Sequence, residues 1–409
     1  MNISDLSQAI LLLTAYLPGG DESSPIPLGT AEYNHLAQWL VAHQASPVDL
    51  LDAGHSEALL AQWQDTQIEA GRLRRLLQRG GALALALDKW LRAGLWVVNR
   101  SDADYPPLIR QRLKKKAPPV FFGVGEAQLL HGKAIGVVGS RDASEADLDL
   151  AGQLGRQIAQ DSHSVVSGGA KGIDEASMLG ALDAQGTAIG YLADSLLRQA
   201  ASKRYRDHLI DGRLVLLSPF SPEARFHVGN AMARNKYIYL QSQATVVIHA
   251  GRKGETWAGA EENLAHQWVP LWIKPNLDAD AGNSRLIQMG GCPLPEAPAK
   301  WTPGYLVQTY TAASQGDLFA QAQPPDIRST PEPVEGLVKN PKPKTQEARA
   351  LFHFFLAQLR SVAADQPLTP DLVGQRLDLT PDQARHWLQV AAAQDLLVSA
   401  AQPDTFRWK

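Results

Sequence analysis

The chain has 409 residues, of which 44% are hydrophobic and 20% charged, and a formal net charge of −3. This length exceeds one ordinary core and predicts about two to four domains. The composition excludes a chain disordered throughout, and the charge excludes a uniformly basic polyanion binder, so any such site must be a local patch.

The N-terminal stretch MNISDLSQAILLLTAYLPGGDE is apolar only briefly, without a basic flank or a small-residue cleavage pattern, and reads as a helix rather than a signal peptide. No apolar run reaches membrane-span length, and the lone cysteine, Cys292, excludes an internal disulfide, argues against a cysteine-based metal site and fits a reducing compartment. A soluble, cytoplasmic protein is the expectation. Over residues 1–95 leucines and tryptophans such as Leu11, Leu36, Leu40, Trp63, Leu73 and Leu76 recur at helical spacing, with breaks at PGGDESSPIP and RGG, which predicts an N-terminal helical domain.

From residue 96 the pattern changes. Short apolar runs at 134–138, 164–167, 187–192, 214–218, 244–249 and 269–273 alternate with helical segments near 145–161, 174–185, 204–211, 233–241 and 258–266. Such alternation predicts an α/β domain over 96–320, a parallel sheet covered on both faces, with the loops that follow the strands gathered on one edge. QPPDIRSTPEPVEGLVKNPKPK, rich in proline and charge, marks a linker at 321–344. Residues 345–409 then predict a winged-helix-like domain, with Thr369 and Thr380 as N-caps before Pro370 and Pro381.

Four loops of the α/β segment invite a phosphate. After the first run, GSRDAS supplies Gly139 for a tight turn, with Ser140 and Arg141 beside it. After the second, Ser167, Gly168, Gly169, Lys171 and Gly172 form a cradle-like loop, and Asp174 is either the N-cap of the following helix or a functional group. Arg234, Asn235 and Lys236 stand together at a predicted helix start, and Arg252 and Lys253 precede Gly254 in the fourth loop. Each signal alone is weak, but topology brings all four to one edge, which predicts a polyanion site. The clusters Lys114–Lys116 and Lys203, Arg204 and Arg206 read as solvated faces. Neither G-x-x-x-x-G-K-[ST] nor G-x-G-x-x-G is present, so ATP hydrolysis and dinucleotide binding lack their fingerprints. No G-x-S-x-G, H-E-x-x-H or H-x-E with C-x-x-C occurs, so no catalytic residue, metal site or cofactor is expected, and His249 reads as packed or solvated.

The ordered segments DADYPPLIRQRLKKKAPPVFFGVGE, VVGSRDAS, SGGAKGIDEASMLGAL, SPFSP, ARNKYIYLQSQATVVIHA and GNSRLIQMGG, over residues 99–291, resemble the DNA-processing protein A (DprA, or Smf) family. The resemblance implies an extended Rossmann-like fold and binding of single-stranded DNA. It also implies help in loading a RecA-type recombinase during natural transformation or recombination, and a homodimer. Carried over, the DNA pocket uses Ser140, Arg141, the 167–172 loop, Arg234, Asn235 and Lys236. The chain departs from the family pattern at His249, which replaces an acidic residue, at Lys253-Gly254-Glu255, which replaces Ser-Gly-Ser, and at Met178, which replaces a histidine. YLADSLLRQAASKRYRDH stands in place of a glycine-rich turn with Tyr-Pro. The expected function is a non-enzymatic hold on a single strand along the sheet edge, with bases stacking on Tyr237 or Trp257.

Two other readings use the same pocket. One is a LOG-type nucleotide phosphoribohydrolase, loosely similar at 251–256 with Glu261 or Glu262. The other is a nucleotide-signal sensor in a defence or stress system. In the C-terminal domain the would-be recognition helix, about 381–395, carries only Arg385 against Asp382 and Asp395, which predicts a protein contact rather than groove reading.

Overall fold

A computed structural model of the chain describes residues 3–19, 24–276, 281–296 and 301–307, then residue 359, 368–377 and parts of 384–408. The chain divides into two compact units, Met1–Ala322 and Gln323–Lys409. The predicted linker at 321–344 lies outside the described residues.

In the first unit nine strands form one sheet: β1 (Trp96–Asn99), β2 (Val120–Gly125), β3 (Ala134–Val138), β4 (Ser164–Ser167), β5 (Ala188–Tyr191), β6 (Leu214–Ser218), β7 (Ala244–Val247), β8 (Leu271–Ile273) and β9 (Cys292–Pro293). Their spatial order is β1-β2-β6-β5-β4-β3-β7-β8-β9. From β6 through β9 every neighbouring pair is parallel, as the alternation of strands and helices predicts. The sheet is nevertheless not wholly parallel, because β1 pairs antiparallel with β2, and β2 with β6. The connector 126–133 holds only a 3-10 turn and no crossover helix, so the chain leaves β2 and enters β3 from the same end of the sheet.

Both faces of the sheet are covered, so its strands read as continuous apolar runs. Successive side chains still point to opposite faces. Val120, Phe122, Val124, Ile135, Val137, Val165, Leu214 and Leu216 pack on one side with α7 (Glu145–Gln160) and α8 (Ile173–Asp183). Phe121, Val138, Val166, Ile189, Val215 and Leu217 pack on the other side with α11 (Val228–Gln241) and α12 (Glu255–His266).

Among the described residues up to 95 the chain folds as five helices, α1 (Asp5–Thr14), α2 (Thr30–Ala42), α3 (Ala53–Gln62), α4 (Ala70–Leu77) and α5 (Gly80–Arg92), with one 3-10 turn at Pro47–Leu51. Their buried leucines and Trp90 join the same apolar cluster as Phe122 and Val124, so the helices extend the α7–α8 layer over β2. Among the described residues of this unit the remaining helices are α6 (Pro107–Leu113), α9 (Leu196–Ala200), α10 (Lys203–Ile210) and α13 (Gly282–Gln288). No helix among the described residues is long and apolar enough to cross a membrane.

In the second unit α14 (Pro370–Leu377) opens as the Thr-Pro signal predicts, with Thr369 Oγ1 accepting from the Leu372 amide at 3.3 Å. β10 (Leu397–Ser399) and β11 (Phe406–Trp408) pair antiparallel. Thr380 and much of 381–395 lie outside the described residues.

Candidate functional site

The C-terminal ends of β3 to β8 open on one edge of the sheet. After β3 the chain builds β4, β5 and β6 on one side and then crosses to place β7 and β8 on the other, so the loops leaving β3 and β7 diverge. Open α/β sheets hold ligands at such a switch point. The Ser140 amide donates to the His249 carbonyl at 2.9 Å and ties the two loops at their base.

The β4–α8 loop is shaped by its glycines. Gly172 has φ +102°, and a Cβ there would stand 2.9 Å from the Ser140 carbonyl oxygen, so the two loops approach too closely for a side chain. A Cβ on Gly168 would lie 2.4 Å from Arg234 Nη1 and 2.5 Å from Asp174 Oδ2. Gly168 therefore lets the chain pass directly over an acid and a base.

Those two groups are buried. Arg234 is only 3% exposed, and its Nη1 donates to the carbonyls of Gly168 and Tyr191, stapling the ends of β4 and β5. Asp174 accepts the backbone N–H groups of Gly139 and Ala170, so one carboxylate gathers the β3 and β4 loops. Burial pushes the Asp174 carboxyl up, against the opposing pull of Arg234, and burial pushes the Arg234 guanidinium down, against the opposing pull of Asp174.

Two sequence expectations change here. Arg234 is not at a helix start where it could meet a phosphate. α11 begins at Val228, with His227 Nδ1 accepting from the Gly229 amide at 3.1 Å, and Arg234 falls on its inner stripe with Ala231, Ile238 and Gln241. Asp174 is not an N-cap either. It is the second residue of α8, whose N-cap is Gly172.

The neighbours of Arg234 are also occupied. Asn235 is buried and donates from Nδ2 to the Glu255 carbonyl at 2.8 Å, locking α11 to the start of α12. The Lys236 ammonium lies 5.3 Å from the Tyr237 ring centroid and draws the Glu262 carboxyl down against a larger upward push from burial. Glu262 is about 10 Å along α12 from the edge, at 1.5 Å rise per residue. Ser167 is buried, and its Oγ donates to the Val137 carbonyl at 2.6 Å, which turns the hydroxyl into the sheet. Tyr237 is buried and stacked on Tyr191, with centroids 5.9 Å apart, so it is no platform for a base, and Trp257 is half-buried.

Four cations remain exposed at the edge, with the exposed Asp142 beside the first of them. Arg141, Lys171, Arg252 and Lys253 are all exposed. Arg141 pairs with Glu255 at 3.2 Å, and its guanidinium carbon lies 5.0 Å from the ring centroid of Phe226, itself 48% exposed. The N-caps of α8 and α12 are Gly172 and Gly254, which have no side chain to cap the first turn. The first-turn amides of α12 therefore face solvent or an anion, whereas in α8 Ile173 and Asp174 are buried and the Glu175 amide donates to the Ala170 carbonyl at 3.1 Å. By contrast α7 is closed by Ser144, which accepts from the Asp147 amide at 3.2 Å.

Three contributors escape the sequence reading. Phe226 precedes α11 in a loop with no motif of its own. Asn283, within GNSRLIQMGG, accepts from the Ala250 amide at 2.7 Å and donates to the carbonyls of Ile248 at 2.9 Å and Lys274 at 2.7 Å, which fixes the β7 loop. Asp147 holds Lys274 and lies 3.8 Å from His249 Nδ1. Burial raises its carboxyl, but hydrogen bonds from Lys274 and Ser144 outweigh that and hold it below the ordinary aspartate value.

Residues 96–299 match the family model of DNA recombination-mediator protein A. A putative DNA processing protein DprA of Mycobacterium tuberculosis is 31% identical over 185 residues, 44% of this chain and 46% of that protein. The DNA processing protein DprA of Bacillus subtilis is 26% identical over 230 residues, 55% of this chain and 76% of that protein. This chain thus spans about half the length of the mycobacterial relative and three quarters of the bacillar one. The solved DNA processing protein A of Streptococcus pneumoniae superposes with a TM-score of 0.50 at 22% identity, over 65% of this chain and 95% of that one, and shares the fold.

Proposed function

Because its residues 96–299 make this chain a member of the DNA recombination-mediator protein A family, we propose that it holds single-stranded DNA along the open edge of its sheet. The observation that carries this reading is the exposed Phe226 ring set against the exposed Arg141 at the mouth of the phosphate loops. A cation for a phosphate and a free aromatic face for a base, side by side, suit a strand whose bases are unpaired. Phosphates meet Arg141, Lys171, Arg252, Lys253 and the first-turn amides of α12. Arg234, Asn235, Ser167 and Asp174 serve one step behind, by fixing the loops that carry these groups.

The same proposal is of binding rather than of catalysis; three of the acids near the edge lie against bases, Glu255 with Arg141, Asp147 with Lys274, and Asp174 facing Arg234. Glu261 and Glu262, which a phosphoribohydrolase reading requires, sit beyond the first turn of α12. Assistance to a RecA-type recombinase, a homodimer and a winged helix in the second unit belong to the same proposal.

The test is titration of a labelled single-stranded oligonucleotide at several salt concentrations. Log K against log salt should fall by roughly 0.7 per phosphate neutralised. Arg141→Ala and Lys171→Ala should each weaken binding of all sequences alike and make the slope shallower, whereas Lys115→Ala, on an exposed run outside the four loops, should change little. Unchanged affinity and slope in both edge variants would remove the phosphate contacts from this edge.

A further inference from the structure

Beside the edge lies a cavity of about 660 Å³, within the range of roughly 300–1,000 Å³ usual for small-ligand sites. One wall is the end of α1 and the segment after it, including Tyr16. The opposite wall is the 219–227 loop, which leaves β6 at the C-terminal edge of the sheet, and Pro118 and Pro119 close the third side. Neither wall is part of the phosphate loops. The two regions are nonetheless joined through consecutive residues: Arg225 and His227 line the cavity, while Phe226 between them carries its ring to Arg141. The segment 225–227 thus contributes both to the cavity and to the ring that meets Arg141.

The lining suits a nucleobase. Tyr16, at 65% exposure, and Phe220 offer aromatic faces, and the prolines offer rigid apolar ones. Its polar groups both donate and accept, and its carboxylate, Glu223, is already held by Lys89 Nζ and Trp90 Nε1. His227 Nδ1 accepts from the Gly229 amide, which leaves its ring proton on Nε2, and Arg225 and Asn230 add further N–H groups. Ring nitrogens and carbonyls of a base are the complementary acceptors.

We propose that this cavity, formed jointly by the N-terminal helices and the sheet edge, receives one unstacked base of the single strand whose phosphates lie on the Arg141 loop. The inference rests on the DNA-binding reading above. It gives the N-terminal helices a direct part in gripping the strand.

The experiment compares a base-bearing oligonucleotide with an abasic one of equal length, both titrated into the full chain. The base-bearing strand should bind more tightly, because stacking on an aromatic side chain is worth about tenfold in affinity per base. Tyr16→Ala, which removes an exposed side chain, should narrow that ratio by about tenfold while leaving the abasic affinity unchanged. Asn230→Trp, which fills the cavity, should narrow it likewise with Phe226 intact. A 2-aminopurine base that is quenched on binding the natural chain should stay bright on the filled variant. If both variants keep the full ratio and the quench, no base enters the cavity, although DNA binding at the edge stands. If neither oligonucleotide binds at all, the edge reading itself falls and takes this one with it.

Discussion

Arg234 carries a charge that solvent hardly reaches, and its value lies in what it holds rather than what it meets. Its guanidinium spans the carbonyls of Gly168 and Tyr191 and neutralises the buried Asp174, so Arg234→Ala leaves an acid desolvated and uncompensated. Breaking one partner of such a pair costs about 3–5 kcal/mol. The variant should therefore unfold at markedly lower denaturant, and Arg234→Lys should recover little, because an ammonium lacks the planar fork. Stability equal to that of the natural chain, together with lost DNA affinity, would mean that the arginine faces the ligand after all. From sequence the importance of this arginine was legible, but its role was not. Arg-Asn-Lys is hydrophilic, and burial of its first member follows only from the register of α11 against the sheet. Asp174 misleads for a related reason, since an acid near a helix start is most simply an N-cap, and only the approach of the β3 loop turns it into an acceptor for two loops.

At the scale of elements, the loop between β4 and α8 is where backbone geometry and binding meet. Gly172→Ala would force φ +102° on a residue with a side chain and drive its Cβ to 2.9 Å from the Ser140 carbonyl. Such strain costs about 1–3 kcal/mol. Its structural relief is a shift of the β3 loop away from α8. We expect both a lowered thermal midpoint and weaker binding of the oligonucleotide, and a Gly172→Ala chain with natural affinity would show that the loop spacing is immaterial. The alternation of buried strands with helices was readable, because parallel strands covered on both faces need apolar runs bounded by turns. The reversal of β2 against the parallel strands was not, since the connector 126–133 carries no signal of direction. The early start of α11 was also hidden. Val228-Gly229-Asn230 are weak helix formers, and His227 supplies the cap that offsets them.

At the scale of the molecule, Met1–Ala322 is a compact unit with its own core, so removal of 323–409 should leave its melting unchanged. Since the stretch 381–395 bears little positive charge, the truncated chain should also keep most of its affinity for single-stranded DNA. Loss of binding by a folded 1–322 chain would assign the strand to the second unit instead. The helical character of residues 1–95 was plain in their leucine spacing, yet their union with the sheet in one apolar cluster was not, because periodicity gives a buried face without naming its partner. That union bears on how the protein is made. β2 lies between β1 and β6, and β6 leaves the ribosome about 90 residues later, roughly 5–20 s at usual rates of synthesis. Through that interval VFFGVG, apolar on both faces, has an open hydrogen-bonding edge with nothing to pair against. The helices already synthesised can shield one face of that strand but not its edge, so the nascent chain is most vulnerable to aggregation, and most in need of a chaperone, between the emergence of β2 and that of β6.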